Sequence, residues 1–279
     1  MTSLHIHELI LSLTLEEKAS LASGQSFWET QSIPAKGVPS VFFADGPHGV
    51  RREEPKNRRK NGGHSVKATC FPTASALACA WDVQLCGEVG RAVAHECKAH
   101  GVAVILGPGV NIKRSPLCGR NFEYYSEDPL LAGTLAAGFI RGAQGEGVGT
   151  SLKHFAVNSQ ETLRMSISAE VDERALREVY LKPFEIAVKE GRPSTVMCSY
   201  NRVNGVYASE NKKLLTDILR GEWNFCGLVM SDWGAVNDRA AGVAAGLDIE
   251  MPSSGGVTDK EIVKAVQSGR LSEMALDAL

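Results

Sequence analysis

The residues best placed to do chemistry stand at the ends of apolar runs. Leu228-Val229-Met230-Ser231 ends in Asp232, with Trp233 and Gly234 directly after it. A carboxylate there is carried on rigid backbone beside an apolar wall, which suits a nucleophile or electrostatic partner for an oxocarbenium-like transition state. Trp233 offers a flat apolar face and keeps its indole N–H for donation. The blander role for Asp232 is N-cap of the next helix. Asp45 opens Asp45-Gly46-Pro47-His48-Gly49-Val50-Arg51. Glycine and proline fix a tight turn, so the carboxylate is aimed, and its two oxygens can accept from vicinal hydroxyls. As an Asx-turn it would only close the loop.

Lys153-His154 ends the run from Thr150, and Tyr200-Asn201 ends the run from Ser194. Lys153 can donate to hydroxyls or, as a neutral amine, form an imine with a carbonyl substrate. His154 can equally be a satisfied structural histidine. Neighbours on a strand should point to opposite sides, but alternation relaxes at a strand's end. From Gly109 to Asp128 lie about twenty residues with little periodicity, a length that is functional or disordered in most compact domains. This segment holds Arg114, Arg120, Phe122, Glu123, Tyr124 and Tyr125 and ends at a well-marked helix start. Its arginines can fork onto hydroxyls or fix a carboxylate such as Glu123.

Positioning these groups falls to alternating short apolar runs and amphipathic helices. Strands are predicted at Val41–Ala44, weakly at Ala68–Phe71, then at Val102–Leu106, Thr150–Phe155, Ser194–Tyr200, Leu228–Ser231 and Leu247–Met251. A capping box at Thr14-Leu15-Glu16-Glu17 opens a helix that Gly24 can close. Asp82 caps a helix to about His100, Asp128-Pro129 starts another, and Asp172 caps one through Glu190. Further helices are expected at Ser209–Arg220, near Asn237–Ala245, and at Thr258–Ser268. About seven βα steps with continuous apolar strands imply a parallel sheet covered by helices. The first strand is not followed by a Gly-rich dinucleotide turn, which tilts the choice from an open doubly wound sheet to a TIM-type barrel. In such a barrel, the strand ends carrying Asp45, Lys153, Tyr200 and Asp232 converge on one face.

Composition narrows the class. The chain has 279 residues, 43% hydrophobic and 22% charged, with formal net charge −2; no nucleic-acid partner is suggested. The basic cluster Arg51-Arg52, Lys56, Arg58, Arg59 and Lys60 reads as a solvated loop. Seven cysteines, none in a C-x-x-C pair, argue against a disulfide framework or a zinc site, and no clustered ligand set suggests a metal. A reducing compartment fits, and without a signal-type N-terminus or a membrane-length apolar run the expected location is cytoplasmic, with no membrane partner. Homo-oligomerisation is left open.

The set Asp45-Gly46-Pro47-His48-Gly49-Val50-Arg51, the loop Arg114–Pro129, Lys153-His154-Phe155, Tyr200-Asn201-x-x-Asn204-Gly205 and Ser231-Asp232-Trp233 resembles glycoside hydrolase family 3, and within it the two-domain bacterial β-glucosidases. The motifs stand in family order. The resemblance implies a (β/α)8-type TIM-like barrel, irregular in its first strands, with residues 1–279 forming a single catalytic barrel domain that stops before the family's C-terminal α/β sandwich. It implies release of terminal non-reducing β-D-glucosyl or related residues with retention, from a β-linked oligosaccharide or aryl glucoside, with no cofactor. Asp232 matches the nucleophile. Asp45, Arg51, Arg120, Lys153, His154, Arg164 and Tyr200 match positions lining the pocket, with Trp233 in its wall; Arg164 is placed by its distance beyond Lys153-His154. The Gly/Asp/His-rich loop of the N-acetylglucosaminidase branch is absent after Phe155, where Ala156-Val157-Asn158-Ser159-Gln160-Glu161 follows. The acid/base is therefore expected from a glutamate of a downstream domain, and the chain alone is expected to bind sugar weakly and turn over poorly. The alternatives are a non-catalytic carbohydrate-binding remnant and a Lys153 Schiff-base lyase or aldolase.

Overall fold

The computed structural model describes residues 3–53 and 65–279. The part of the basic cluster at Lys56, Arg58, Arg59 and Lys60 lies outside the described residues. In chain order the strands are β1 (Phe43–Ala44), β2 (Val104–Ile105), β3 (Gly149–Phe155), β4 (Ser168–Ala169), β5 (Thr195–Cys198), β6 (Arg202–Val203), β7 (Val206–Tyr207) and β8 (Leu228–Met230).

β1, β2, β3, β5 and β8 form one curled parallel sheet in that order. Single bridges carry the curl onward: Met230 to Ile249 and Glu250 to Ser23, both parallel, then Gly24 to Thr30 and Glu29 to Phe42, both antiparallel. The circuit thus returns to β1, as a TIM-like α/β barrel with irregular first strands. β4, β6 and β7 make a small separate sheet, with β6 and β7 antiparallel. The core follows from the sequence: Phe43, Ile105, Leu152, Phe155, Val196, Val229 and Met230 are buried in one apolar cluster with residues of the covering helices.

Helix starts follow the caps. Thr14 and Glu17 make the capping box of Leu15–Leu21. The Asp82 carboxylate accepts from the amides of Gln84 and Leu85 to start Val83–Ala99. Asp128 does the same ahead of Pro129–Gly145. After Asp172 the chain winds to Gly191 as alternating α and π turns rather than one α-helix. Arg239–Ala245 is capped by Asp238, and Val257–Gln267 follows.

The expected strand Leu247–Met251 is reduced to isolated bridges at Ile249 and Glu250, and three further expectations are corrected. Ala68–Phe71 is not a strand: β1 pairs directly with β2, and residues 68–70 are exposed, the Thr69 amide donating to Glu96 and the Phe71 amide to the His48 carbonyl. The helix expected at Ser209–Arg220 is a 3-10 turn at Ala208–Glu210 and then a π-helix over Lys213–Glu222. Gly24 does not close the first capped helix, which ends at Leu21; its amide donates to Glu250 at 3.0 Å, and any side chain there would meet Met251.

Candidate active site

The C-terminal ends of β1, β3, β5 and β8 open onto a cavity of about 280 Å³, at the small end for ligand sites. Its lining includes Asp45, Arg51, Arg120, Lys153, His154, Arg164, Tyr200, Asp232 and Trp233, so the nine residues matched above to nucleophile and pocket face one space. Phe27, Trp28, Glu53, Leu106 and Met197 complete it. Asn201 instead turns its amide onto the carbonyls of Ala156 and Arg202, and Arg114 is exposed and outside the lining.

Asp232 is 7% exposed. The Trp233 amide donates to its Oδ1 at 2.7 Å, while Oδ2 has no hydrogen-bond partner. The nearest cation to that oxygen is Arg120, with Nη1 at 3.9 Å, and His154 Nε2 lies at 3.8 Å. Burial pushes the Asp232 carboxyl above the usual range, and Arg120, the Trp233 amide, Lys153 and the nearby Tyr200 hydroxyl pull it only part of the way back. The N-cap role falls to Asp238, so Asp232 is not spent on a helix end.

Lys153 is buried between two carboxylates, with Nζ 3.1 Å from Asp45 Oδ1 and 3.5 Å from Glu123 Oε2. Burial works against its charge, but Asp45 and Glu123 more than offset this and hold its pKa above the ordinary value. An imine needs a neutral amine, so the Schiff-base reading has no support here. Burial likewise raises Asp45 and Glu123, and the cations beside them outweigh it, leaving both carboxyls below the usual range. Arg51 adds a longer contact to Asp45 at 3.9 Å.

The Asp45 turn depends on glycine. Gly46 has φ +103° and a methyl there would strike the Gly49 carbonyl; the Arg51 amide then donates back to the Asp45 carbonyl at 2.9 Å. Lys153 and His154 both reach the cavity although adjacent: the pairing of β3 with β5 shifts between Leu152 and Phe155, so strand alternation lapses there. Asn111 clamps the His154 backbone from both sides, accepting from its amide at 2.8 Å and donating to its carbonyl at 2.9 Å.

Arg120 is the hub of the long loop. Its Nε donates to Glu123 at 2.5 Å and its Nη2 to His154 Nε2 at 2.6 Å. Arg164 donates to Glu161 at 2.7 Å and lies over the Tyr200 ring at 4.4 Å. Tyr200 donates to the Trp233 carbonyl at 3.0 Å. The aromatic wall was only partly legible: Trp233 packs against Trp28 at 5.3 Å and Phe27 at 6.4 Å, its indole donating to the Phe27 carbonyl at 2.8 Å. Nothing in the local pattern of Ser26-Phe27-Trp28 marks a site, because the contact joins chain positions far apart. Asn111 and Tyr124, behind the cavity, were visible only as members of a long irregular loop.

Buffered by those cations, the cavity offers a desolvated carboxylate oxygen to an electrophilic carbon and a ring of donors to hydroxyls. Among the described residues no group of His, Cys, Asp or Glu is arranged to hold a metal ion, and no helix is long and apolar enough to cross a membrane.

Comparisons with known proteins bear on the family and the fold. Residues 56–279 match the family described as glycosyl hydrolase family 3 N terminal domain. The chain is 56% identical over 272 residues to thermostable beta-glucosidase B of Acetivibrio thermocellus, covering 98% of this chain and 36% of that protein. It is 54% identical over 271 residues to an exo-alpha-(1->6)-L-arabinopyranosidase of Bifidobacterium longum, covering 97% and 36%. Among solved structures, beta-glucosidase 3B from Thermotoga neapolitana in complex with glucose superposes with TM-score 0.91 at 43% identity, covering 98% of this chain and 41% of that one. The 36% shares mean that the chain spans about a third of the length of those curated relatives.

Proposed function

The chain belongs to glycosyl hydrolase family 3, and from that premise we propose that it forms the sugar-binding, nucleophile-bearing part of a retaining exo-acting β-glucosidase. The observation that carries this reading is the unpartnered Asp232 Oδ2, buried at the base of a cavity ringed by donors. Under it, Oδ2 attacks C1 of the terminal sugar, the C1–O bond to the leaving group breaks, and the resulting glycosyl ester is later hydrolysed by water with net retention. Lys153, Arg51, Arg120 and Arg164 supply donors to sugar hydroxyls, Asp45 supplies an acceptor, and Trp233 with Trp28 and Phe27 supplies the apolar wall.

The leaving group needs a proton, and a retaining pair requires a second carboxyl about 5–5.5 Å from the first. Asp45 and Glu123 do not fit, because each is held ionised by cations. The reading therefore assigns the acid/base to polypeptide outside residues 1–279. Glu53 is the remaining carboxyl among the described lining residues, and Glu53→Gln separates the cases: if Glu53 were the acid/base, this variant would lose cleavage of alkyl glucosides but keep the initial burst of dinitrophenol from dinitrophenyl glucoside, with slow deglycosylation after it.

The test is covalent labelling of residues 1–279 with a 2-deoxy-2-fluoro-glucosyl reagent bearing an activated leaving group, followed by peptide mass spectrometry. An adduct on Asp232 is expected, since an activated leaving group departs without acid assistance. An unlabelled chain, or an adduct elsewhere, sinks the assignment. Parallel aryl β-D-glucoside and α-L-arabinopyranoside reagents test the sugar, because relatives of both names stand at similar identity. A cytoplasmic location and any self-association belong to this proposal only as the setting in which to look.

A further inference from the structure

On the cavity wall, the His154 ring has both nitrogens engaged by other side chains of the protein. Arg120 Nη2 is 2.6 Å from Nε2, and the Tyr124 hydroxyl is 3.0 Å from Nδ1. A guanidinium only donates, so Nε2 must present its lone pair. His154 is 1% exposed; burial first, then Arg120 and Lys153, holds it far below its ordinary pKa, so the ring is neutral. Its single proton therefore sits on Nδ1, aimed at the Tyr124 oxygen. Tyr124 is fully buried, so water does not stand in for that acceptor. The Asn158 amide donates to the same hydroxyl at 3.5 Å and to Glu161 Oε1 at 3.4 Å, so the phenol oxygen is addressed by donors from two sides. Asn111 holds the His154 backbone on both sides, which leaves the ring little freedom to swing away.

We propose that Tyr124 is a positioning residue: by accepting from Nδ1–H it joins Arg120 in fixing the tautomer of His154, which keeps Arg120 seated and denies Asp232 Oδ2 a donor from the imidazole. In the opposite tautomer an Nε2–H would face two neighbours. It would repel the guanidinium at 2.6 Å and be drawn to Asp232 Oδ2 at 3.8 Å. That donor would occupy the lone pair that attack on C1 uses. Tyr124 is not on the cavity lining, so it acts through its neighbours, of which His154 is the lining residue its hydroxyl touches. The catalytic consequence rests on the role proposed for Asp232; the tautomer does not.

Long-range proton–nitrogen correlation spectra of residues 1–279 at neutral pH read the ring directly, with His154 identified by its disappearance in His154→Gln. A neutral ring protonated on Nδ1, with cross-relaxation to the Tyr124 ring protons, is expected. An Nε2-bound proton or an imidazolium overturns the proposal, and this measurement needs no Tyr124 variant to fold. In Tyr124→Phe the proton should move wholly or partly to Nε2. The inactivation rate constant with the 2-fluoro reagent should fall roughly tenfold to a hundredfold, by analogy with the loss when the partner orienting a metal-bound histidine is removed, with little change in KI. A purely structural role would leave the tautomer unmoved, and an Nδ1–H signal with unchanged trapping in Tyr124→Phe also overturns the proposal. If wild-type protein gave the expected spectrum but no adduct on Asp232, the failure would lie with the nucleophile assignment, and the tautomer would stand.

Discussion

At the scale of single residues, the site trades stability for reactivity. Asp232 keeps a buried oxygen without a partner, and burial raises its carboxyl above the usual range. A carboxyl whose folded pKa is raised binds protons better folded than unfolded, so it costs stability at neutral pH, and the cost vanishes as pH falls through that raised value to the unfolded one. Asp232→Asn keeps an acceptor for the Trp233 amide and removes the charge. Urea denaturation should show it more stable by about 0.5–2 kcal/mol at neutral pH, with the gain shrinking at about pH 4, while labelling is lost. A variant less stable than wild type would contradict this account. Asp45 and Glu123 run with the opposite sign. Their folded values are depressed, so their contribution is present above the unfolded value and lost as pH falls through the folded one. Both depend on Lys153, and Lys153→Ala leaves buried Glu123 with Arg120 alone and half-exposed Asp45 with Arg51 alone. Its expected cost is about 1–3 kcal/mol, measured by urea denaturation at neutral pH. The types and spacing of Asp45, Lys153 and Asp232 were readable in sequence because each ends an apolar run. The pairing of Lys153 with Glu123 was not, because it joins a strand end to a loop whose path has no periodic signal.

At the scale of elements, caps and apolar runs were the readable features, and close approach of backbones was the hidden one. Asp82, Asp128 and Asp172 start their helices as expected because an acceptor at the cap serves local amides, a contact written within a few residues. Ala68–Phe71 misled because Ala-Thr-Cys-Phe fits a strand locally, while pairing of β1 with β2 is decided across the sheet. The helices Val83–Ala99 and Pro129–Gly145 show what sequence conceals: a methyl on Gly142 would land on the Gly87 carbonyl, and one on Gly90 on the Phe139 carbonyl. Gly142→Ala must push the two helices apart and should cost about 1–3 kcal/mol. Gly145, on the same helix, has open space around its would-be methyl, and Gly145→Ala should gain about 0.4–1 kcal/mol by restricting the unfolded chain. Thermal melts of the two variants moving in the same direction would refute the packing argument.

At the scale of the whole molecule, the barrel is closed by a seam, and a single buried arginine spans it. The ring passes from Ile249 and Glu250 to Ser23 through isolated bridges rather than a full ladder. Arg239, with no exposed surface, donates to the carbonyls of Ala22 at 2.8 Å, Asp248 at 3.1 Å and Leu247 at 3.2 Å, on both sides of that seam. Burial pushes its pKa down to about 10, only partly resisted by Glu250 and Asp248, which is the mark of a charge kept inside for the bonds it makes. The same seam carries the cavity's aromatic wall: the Trp233 indole donates to Phe27, the Gly234 amide to Met251 and the Ser253 amide to Ser26. Arg239→Met fills similar space but removes every donor, leaving three carbonyls and Glu250 short of partners. It should cost about 3–5 kcal/mol, and the loss should be local before it is global. Hydrogen exchange at the Gly24 and Glu250 amides should quicken more than at Leu152 or Val196 in the paired strands, and glucose affinity should fall although Arg239 does not touch the cavity. Uniform acceleration across all four amides would mean that Arg239 supports the fold generally, and that closure of the ring does not hang on it.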